Sequence, residues 1–473
     1  MFAYIKRFFT VNGMVGRQAV FGELPKTKAL YYNLLKIAWP SILEAVLVGL
    51  VSFVDTIMVS DLGSSAISAV GLTNQPKYMI FAVFFALNIS VNAIVSRRKG
   101  QEDREGANKT LAQALSLCFI LAIVLCGVGI IIAGPFMSLA GANQDTLEYS
   151  TIYFRIVMIG MMFTALSGVI NSAQRAIGKT KIAMTSNITA NLVNISFNYL
   201  LIKGNFGFPA LGVTGAAIAT MIGNIVACFM SVMSVLKKDG YLLIRIKECF
   251  SFNLDIIKPI IKVGSGAGVE QIFIRIGFFI YATAVARLGT TAFATHQICM
   301  NIINLSFTFG DGLGVAASAL IGQNLGRKRP DLSYLYGKAG QRVGFFISLS
   351  LMVLFIFGGE MLMQLFTDPK EADYTKILKD GVIILYIIAA SAPAQISQVI
   401  FSGCLRGAGD TKYVAVSSLI SIGIFRPLLT ILFCYPFGLG VIGAWVSLLI
   451  DQYTRLALSA TRFSSGKWSR IKL

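Results

Sequence analysis

The chain is a succession of long apolar runs separated by short polar segments. Each run is long enough for a helix to cross a bilayer, which takes about twenty residues. The runs cover 33–59, 69–95, 110–135, 148–172, 182–203, 211–236, 258–286, 292–321, 340–366, 378–404, 413–435 and 439–461. Apolar residues are continuous within each run, whereas the strands of a membrane barrel would alternate. The pattern predicts an all-α integral membrane protein with twelve transmembrane helices.

The composition excludes several classes of soluble protein. Of 473 residues, 55% are hydrophobic and 13% are charged, against roughly 25% charged in a typical soluble domain. The net charge is +19, but the basic residues lie between apolar runs and form no aromatic-rich basic groove, so no nucleic-acid partner is predicted. The seven cysteines include no C-x-x-C pair, and neither a metal site nor a cofactor is predicted.

Basic residues alternate between the two sides of the predicted helices. They are concentrated at both termini and in the loops near 100, 178, 247, 328 and 408, whereas the alternate loops hold about five in total. Since cytoplasmic loops carry the excess of Lys and Arg, we predict a multi-pass protein of the cell membrane with both termini in the cytoplasm.

The sequence repeats itself at a nearly constant offset. Lys36–Glu44 resembles Lys262–Glu270 at an offset of 226, and Arg175–Lys181 resembles Arg406–Lys412 at an offset of 231. A third match, Leu211–Ala216 with Leu439–Ala444, has an offset of 228. These matches indicate a duplication with six helices per half. Both copies then share one membrane orientation, so the halves should be related by a pseudo-two-fold axis along the membrane normal.

The repeat also predicts where the chain divides. The expected parts are a cytoplasmic N-terminal segment (1–32), a six-helix bundle (33–236), a cytoplasmic linker (237–257), a second six-helix bundle (258–461) and a basic cytoplasmic tail (462–473).

Several short motifs resemble those of the multidrug and toxic compound extrusion (MATE) family. They are Val54–Thr56, Pro209–Ala217, Ala294–Gln297, Gly322–Gly326 and Arg406–Thr411, in that order along nearly the whole chain. The resemblance implies secondary active antiport, in which organic cations leave as Na⁺ or H⁺ enters. The superfamily also contains flippases of lipid-linked oligosaccharides, so a flippase for such an amphiphile is the alternative.

Acidic residues inside the predicted helices are the first candidates for coupling, because an ionisable side chain in a membrane is costly. Asp55 lies in the first helix, and the resemblance places the family's ion-linked acid there. Glu44 and Glu270 occupy equivalent repeat positions, and Glu270 falls on the seventh-helix acid of the NorM-like branch. A salt bridge, for instance with Arg155 or Arg275, is the alternative for both glutamates.

Asparagines form a stripe on the fifth predicted helix. Asn187, Asn191, Asn194 and Asn198 share one helical face. Their amide oxygens can bind Na⁺ or a substrate, or the amides can serve as contacts between helices. The family's DinF-like branch has an Asp where this chain has Asn198, and its NorM-like branch has an Asp where this chain has Gln395. The coupling ion therefore cannot be taken from either branch.

Other residues are weaker candidates. Arg426 and Asp451 lie in the last two predicted helices, where we expect a buried structural pair. Asp311, between Gly310 and Gly312, could line a cavity or a hinge, and His296 could relay protons. Met161 and Met162 would suit a cavity for flat hydrophobic cations, although lipid-facing packing explains them as well.

The chain contains no Walker A motif and no nucleophile elbow, so we predict a transporter rather than an enzyme. The expected function is export of cationic drugs or toxic organic cations by a monomer, in exchange for Na⁺ or H⁺. The expected partners are organic cations, the coupling ion and membrane lipid.

Overall fold

The computed structural model describes residues 8–15, 20–60, 62, 64–237, 240–249, 251–367, 373–471 and 473. Within these ranges the regular elements are all helical. They are α1 (Val11–Val15), α2 (Thr27–Ser60), α3 (Ser64–Gly100), α4 (Arg104–Ile131), α5 (Ala133–Leu139), α6 (Gln144–Ala176), α7 (Thr180–Lys203), α8 (Gly212–Leu236), α9 (Ile246–Cys249), α10 (Leu254–Ala286), α11 (Thr290–Gly326), α12 (Pro330–Phe357), α13 (Gly359–Phe366), α14 (Tyr374–Gly407), α15 (Thr411–Ser418), a π-helical segment (Leu419–Phe425), α16 (Arg426–Cys434) and α17 (Gly440–Ser464).

Among the described residues, twelve long helical segments correspond to the twelve apolar runs, when α15, the π-helical segment and α16 are counted as one. In the described parts of the chain, ten of them are both long enough and apolar enough to cross a membrane. The other two are α7 and α17. Helix α7 carries the four asparagines, and α17 carries Asp451, Gln452 and Arg455. Because polar and ionisable residues are costly inside a membrane, we expect those on α7 and α17 to have a functional or structural role.

The chain forms two compact units. The N unit comprises residues 43–268, and the C unit comprises residues 1–42 and 269–473. Each has its own apolar core, built around residues such as Phe154 and Leu111 in the N unit and Trp445 and Phe355 in the C unit. The limits of the units fall inside α2 and α10 rather than in loops.

Glycines bring α7 and α8 close together in the N unit. A Cβ on Gly215 would lie 2.5 Å from the carbonyl oxygen of Leu201, and one on Gly223 would lie 2.8 Å from that of Ala190. Small residues of this kind allow close approach of transmembrane helices. The contact places Thr220 of α8 beside Asn194 of α7.

The N-terminal segment packs against α12 in the C unit. Met14 is completely buried, and its carbonyl oxygen accepts a hydrogen bond from Lys338 Nζ at 3.0 Å. Arg329 donates to the carbonyl oxygen of Glu23 at 3.0 Å and pairs with Asp331 at 2.8 Å. These contacts fix the chain that leads into α2.

Candidate ion-coupling site

A cluster of polar side chains surrounds Asp55 in the N unit. Asp55 lies near the end of α2 and is half-buried. Asn198 Nδ2 donates to Asp55 Oδ1 at 2.7 Å. Asn194 lies one turn earlier on α7. Both the nitrogen and the oxygen of its amide form hydrogen bonds when the nitrogen faces Asp55 and donates to the two carboxylate oxygens, at 3.0 and 3.1 Å. Its oxygen then accepts from the Thr220 amide and hydroxyl, at 3.1 and 3.2 Å.

Over the described ranges, this arrangement leaves the Asp55 carboxylate without an ion pair and the Asn198 oxygen without a donor. Among the described residues, no lysine or arginine forms an ion pair with Asp55. Asn198 is buried, and its Oδ1 has no hydrogen-bond partner within the described part of the chain. A buried acceptor without a donor is costly. Once the Asn198 amide is turned over, its oxygen and the Asp55 carboxylate can together bind a small cation.

The two repeat-related glutamates are both paired with repeat-related arginines. In the N unit, Arg175 Nη2 and Asn187 Nδ2 each lie 2.5 Å from Glu44 Oε1. In the C unit, Arg406 makes two hydrogen bonds to Glu270, with Nε at 3.2 Å from Oε2 and Nη2 on Oε1.

The partners of the glutamates are thus Arg175 and Arg406 rather than Arg155 and Arg275. Arg155 instead donates to the carbonyl oxygen of Ile130 at 3.4 Å. Each pair joins the first long helix of a repeat to the last turn of another helix, α6 or α14. Neither glutamate therefore presents an uncompensated charge to a substrate.

We expect Arg406→Gln to destabilise the protein more than Arg175→Gln. The Glu270 side chain is 1% exposed and its hydrogen bonds come from Arg406. Removing one partner of a buried pair costs about 3–5 kcal/mol of unfolding free energy. Glu44 keeps Asn187 as a second donor when Arg175 is lost. Thermal unfolding in detergent measures both variants, and equal losses would contradict the different roles of the two pairs.

The C unit contains a buried arginine, Arg426, whose charge is held by several side chains. Arg426 pairs with Asp451, and both side chains are 0% exposed. The guanidinium also lies 4.6 Å from the centre of the Phe278 ring and 5.6 Å from that of Tyr281. The charge of Arg426 is therefore held by one carboxylate and two aromatic rings.

The remaining sequence candidates are dispersed. Asp311 is exposed on α11 and lies in the electrostatic field of Arg406 and Arg455. Gln395 is completely buried on α14, and both polar atoms of its amide lack a partner among the described residues. His296 is buried, with its ring 5.1 Å from Tyr281 and 5.5 Å from Trp445. This packing indicates a core position for the histidine.

The other three candidates lie in the N unit. Asn191 is half-buried on α7, one turn before Asn194. Met162 is partly buried and packs against the core of the unit. Met161 is 4% exposed and lines a cavity. Of the two methionines, Met161 is therefore the one that borders this space.

That cavity has a volume of about 220 Å³ and lies wholly within the N unit. Its lining residues are Lys77, Tyr78, Phe81, Tyr153, Val157, Met161, Thr164, Thr220 and Asn224. Thr220 belongs to both the cavity and the Asp55 cluster. Lys77 is absent from the residues predicted from the sequence, although it lies within the second apolar run. Arg455 is likewise a basic residue within an apolar run, and it too is absent from the residues predicted from the sequence.

The described residues contain no group of three or more His, Cys, Asp or Glu that could hold a metal ion. The Asp55 cluster has a single carboxylate with neutral amides, which suits a monovalent ion in transit rather than a tightly bound divalent metal.

Known proteins are similar to this chain over most of its length. A family model, MatE, matches residues 40–200 and 267–432. The uncharacterized transporter YisQ of Bacillus subtilis is 26% identical over 96% of this chain and 98% of its own. The probable multidrug resistance protein NorM of Thermotoga maritima is 26% identical over 95% of this chain and 94% of its own.

Solved structures show the same fold. One is a MOP superfamily transporter from Pyrococcus furiosus, described as having a binding pocket of reverse polarity that suggests a different function. It superposes with a TM-score of 0.86 at 22% identity, over 93% of this chain and 97% of that one. An outward-facing multidrug resistance MATE family transporter gives 0.85 at 22% identity, with the same coverage. The predicted all-α fold of twelve helices in two bundles is confirmed. With the family model matching most of the sequence, this chain belongs to the MatE family of multidrug efflux transporters.

Proposed function

We propose that this transporter is an ion-coupled antiporter that exports organic cations, and that Asp55 is its coupling acid. One observation carries the proposal. Glu44, Glu270 and Asp451 each pair with an arginine, whereas Asp55 is held by neutral amides. An acid that must exchange one cation for another has to be free of a permanent counter-ion.

The cluster favours Na⁺ over H⁺ as the coupling ion. A proton needs only the carboxylate, whereas a metal cation needs several oxygen ligands at once. Rotation of the Asn198 amide would turn its oxygen, which has no donor from the described residues, towards Asp55 as a second ligand. Rotation of the Asn194 amide would bring a third oxygen to the ion.

The transport cycle follows from competition at this carboxylate. Binding of the ion from outside lowers the affinity for the cationic substrate, and binding of substrate from inside releases the ion. Access to the site then alternates between the two faces of the membrane, as in other transporters built from repeated halves.

The setting of this activity is also part of the proposal. The transporter acts as a monomer in the cell membrane, with both termini and the basic loops in the cytoplasm. The distribution of Lys and Arg supports this orientation. The bundle limits at 33–236 and 258–461 remain a prediction, since the compact units divide within α2 and α10.

A second candidate is a flippase or exporter of an anionic amphiphile. It is favoured by Lys77 in the N-unit cavity and by Arg455 inside the C unit, neither of which forms an ion pair among the described residues. Basic groups at these places would attract a phosphate or a carboxylate rather than a cation.

Reconstituted vesicles separate these possibilities. The purified protein is placed in liposomes loaded with the ethyl ester of rhodamine B, a permanent cation, and efflux is followed under an inward Na⁺ gradient or an inward H⁺ gradient alone. Antiport predicts efflux under one gradient, Na⁺ by the argument above, and little with neither. Gradient-independent movement of the dye, or no movement of it, would contradict antiport of cations.

A further inference from the structure

The cavity of the N unit has a single charged side chain among its described lining residues. Lys77 is that residue, and the other lining side chains are aromatic, aliphatic or neutral polar. The cavity adjoins the Asp55 cluster, since Thr220 belongs to both. A ligand in this space would meet a positive charge on one wall.

Lys77 has no acidic partner in the described ranges. Its Nζ donates to Asn74 Oδ1 at 2.9 Å and lies 5.2 Å from the centre of the Tyr78 ring. Both partners are neutral. Lys77 lies on α3 about 20 Å along the helix from Ser64, inside an apolar run. An uncompensated ammonium group in such a place is costly and is a functional candidate by default.

The rest of the wall fits an aromatic acid. Tyr153 is 9% exposed and Met161 is 4% exposed, and together with Phe81 they supply apolar and polarisable surface. Asn224 and Thr164 add hydrogen-bonding groups. The volume of about 220 Å³ is below the roughly 300–1,000 Å³ of pockets that enclose a drug-sized ligand. The cavity therefore takes one end of such a molecule.

We propose that the cavity binds the acidic end of an amphiphilic zwitterion, with the Lys77 ammonium group pairing with its carboxylate. This assignment rests on the proposed antiport function and names its substrate class. The cationic centre of the substrate competes with the coupling ion for Asp55, while its aromatic acid lies against Tyr153 and Met161. Lys77 thus selects zwitterions over simple cations.

Two dyes that differ in one acidic group test this assignment. Rhodamine B carries a carboxylate and a delocalised cation, and its ethyl ester keeps only the cation. Fluorescence anisotropy in detergent gives the Kd of each dye without any ion gradient. The wild-type protein is expected to bind rhodamine B about tenfold more tightly than the ester, since a hydrogen bond between charged groups is roughly twice as strong as one between neutral groups.

Variants of Lys77 supply the decisive comparison. Lys77→Gln should abolish the preference by weakening rhodamine B binding about tenfold while leaving the ester unchanged, and Lys77→Arg should keep the preference. Lys203→Gln, at the C-terminal end of α7 and outside the cavity, is the matched control and should bind as the wild type does. Thermal unfolding confirms that each variant is folded.

Equal affinities of the wild type for the two dyes, or equal loss of both in Lys77→Gln, would overturn the assignment. The antiport proposal is tested by a separate measurement, ion-driven efflux. A dye preference that depends on Lys77 but is accompanied by no ion-driven efflux would refute antiport and leave the cavity assignment intact. Ion-driven efflux without the dye preference would overturn the cavity assignment and leave the antiport proposal intact.

Discussion

Asp55→Asn is expected to abolish ion-driven efflux while leaving the protein folded. The amide has the size of the carboxylate and is cheaper to bury in a membrane, so insertion and thermal stability should be kept or improved. Asn198 and Asn194 would then face a neutral group that can neither attract nor release a cation. Efflux from reconstituted vesicles should fall by at least about tenfold, corresponding to about 1.4 kcal/mol in the activation free energy of transport.

Asp311→Asn is the matched control for this loss. It removes a second acid from the middle of a long helix, but one that lies in the field of two arginines. We expect it to retain most of the ion-driven efflux. If Asp55→Asn transports at the wild-type rate and Asp311→Asn does not, the coupling acid lies in the C unit.

Arg426→Met is expected to cause a large loss of stability. Its partner Asp451 is 0% exposed, and an uncompensated carboxylate there costs about 3–5 kcal/mol. The variant also loses the cation–π contacts with Phe278 and Tyr281. The unfolding midpoint in detergent, measured by differential scanning fluorimetry, should fall by several degrees.

The double variant Arg426→Met with Asp451→Leu tests the cause of that loss. Replacing both members of a buried pair by apolar residues is often neutral or stabilising. We expect the double variant to recover most of the midpoint, and to retain ion-driven efflux if the C unit carries no coupling ion. A double variant that is stable but fully inactive would show that this pair belongs to the transport machinery.

The Asp55 cluster shows how far a sequence can predict a site. Asn194 and Asn198 are one helical turn apart, so their common face follows from the period of a helix. Their position beside Asp55 depends on the packing of α2 against α7, which the apolar pattern of the two helices does not encode. The close contact with Thr220 requires Gly215 and Gly223, whose role is visible only once α7 and α8 are seen to touch.

The Glu–Arg pairs could have been predicted from the repeat itself. Glu44 and Glu270 are equivalent in one repeated motif, and Arg175 and Arg406 are equivalent in another. An acid and a base that are both duplicated are candidates for a duplicated contact. Arg155 and Arg275 lie within apolar runs and are the more obvious partners by hydropathy, whereas the two correct arginines lie at the ends of helices.

The limits of the compact units could not have been predicted from apolar runs. Hydropathy is continuous through α2 and α10, whereas the unit limits lie at residues 42 and 268 inside these helices. Only tertiary contacts distinguish the two parts of each helix. Lys77, in contrast, is visible in the sequence as a charge within an apolar run.

Substrate-driven movement of the coupling ion tests the central claim most directly. Vesicles containing the wild-type protein or Asp55→Asn are loaded with rhodamine B and diluted into dye-free medium, and Na⁺ and H⁺ uptake are measured by separate indicators. We predict that the outward flow of dye drives inward movement of one ion, Na⁺, in the wild type and of neither ion in Asp55→Asn. Equal ion uptake by the two proteins would contradict the assignment of Asp55 as the coupling acid.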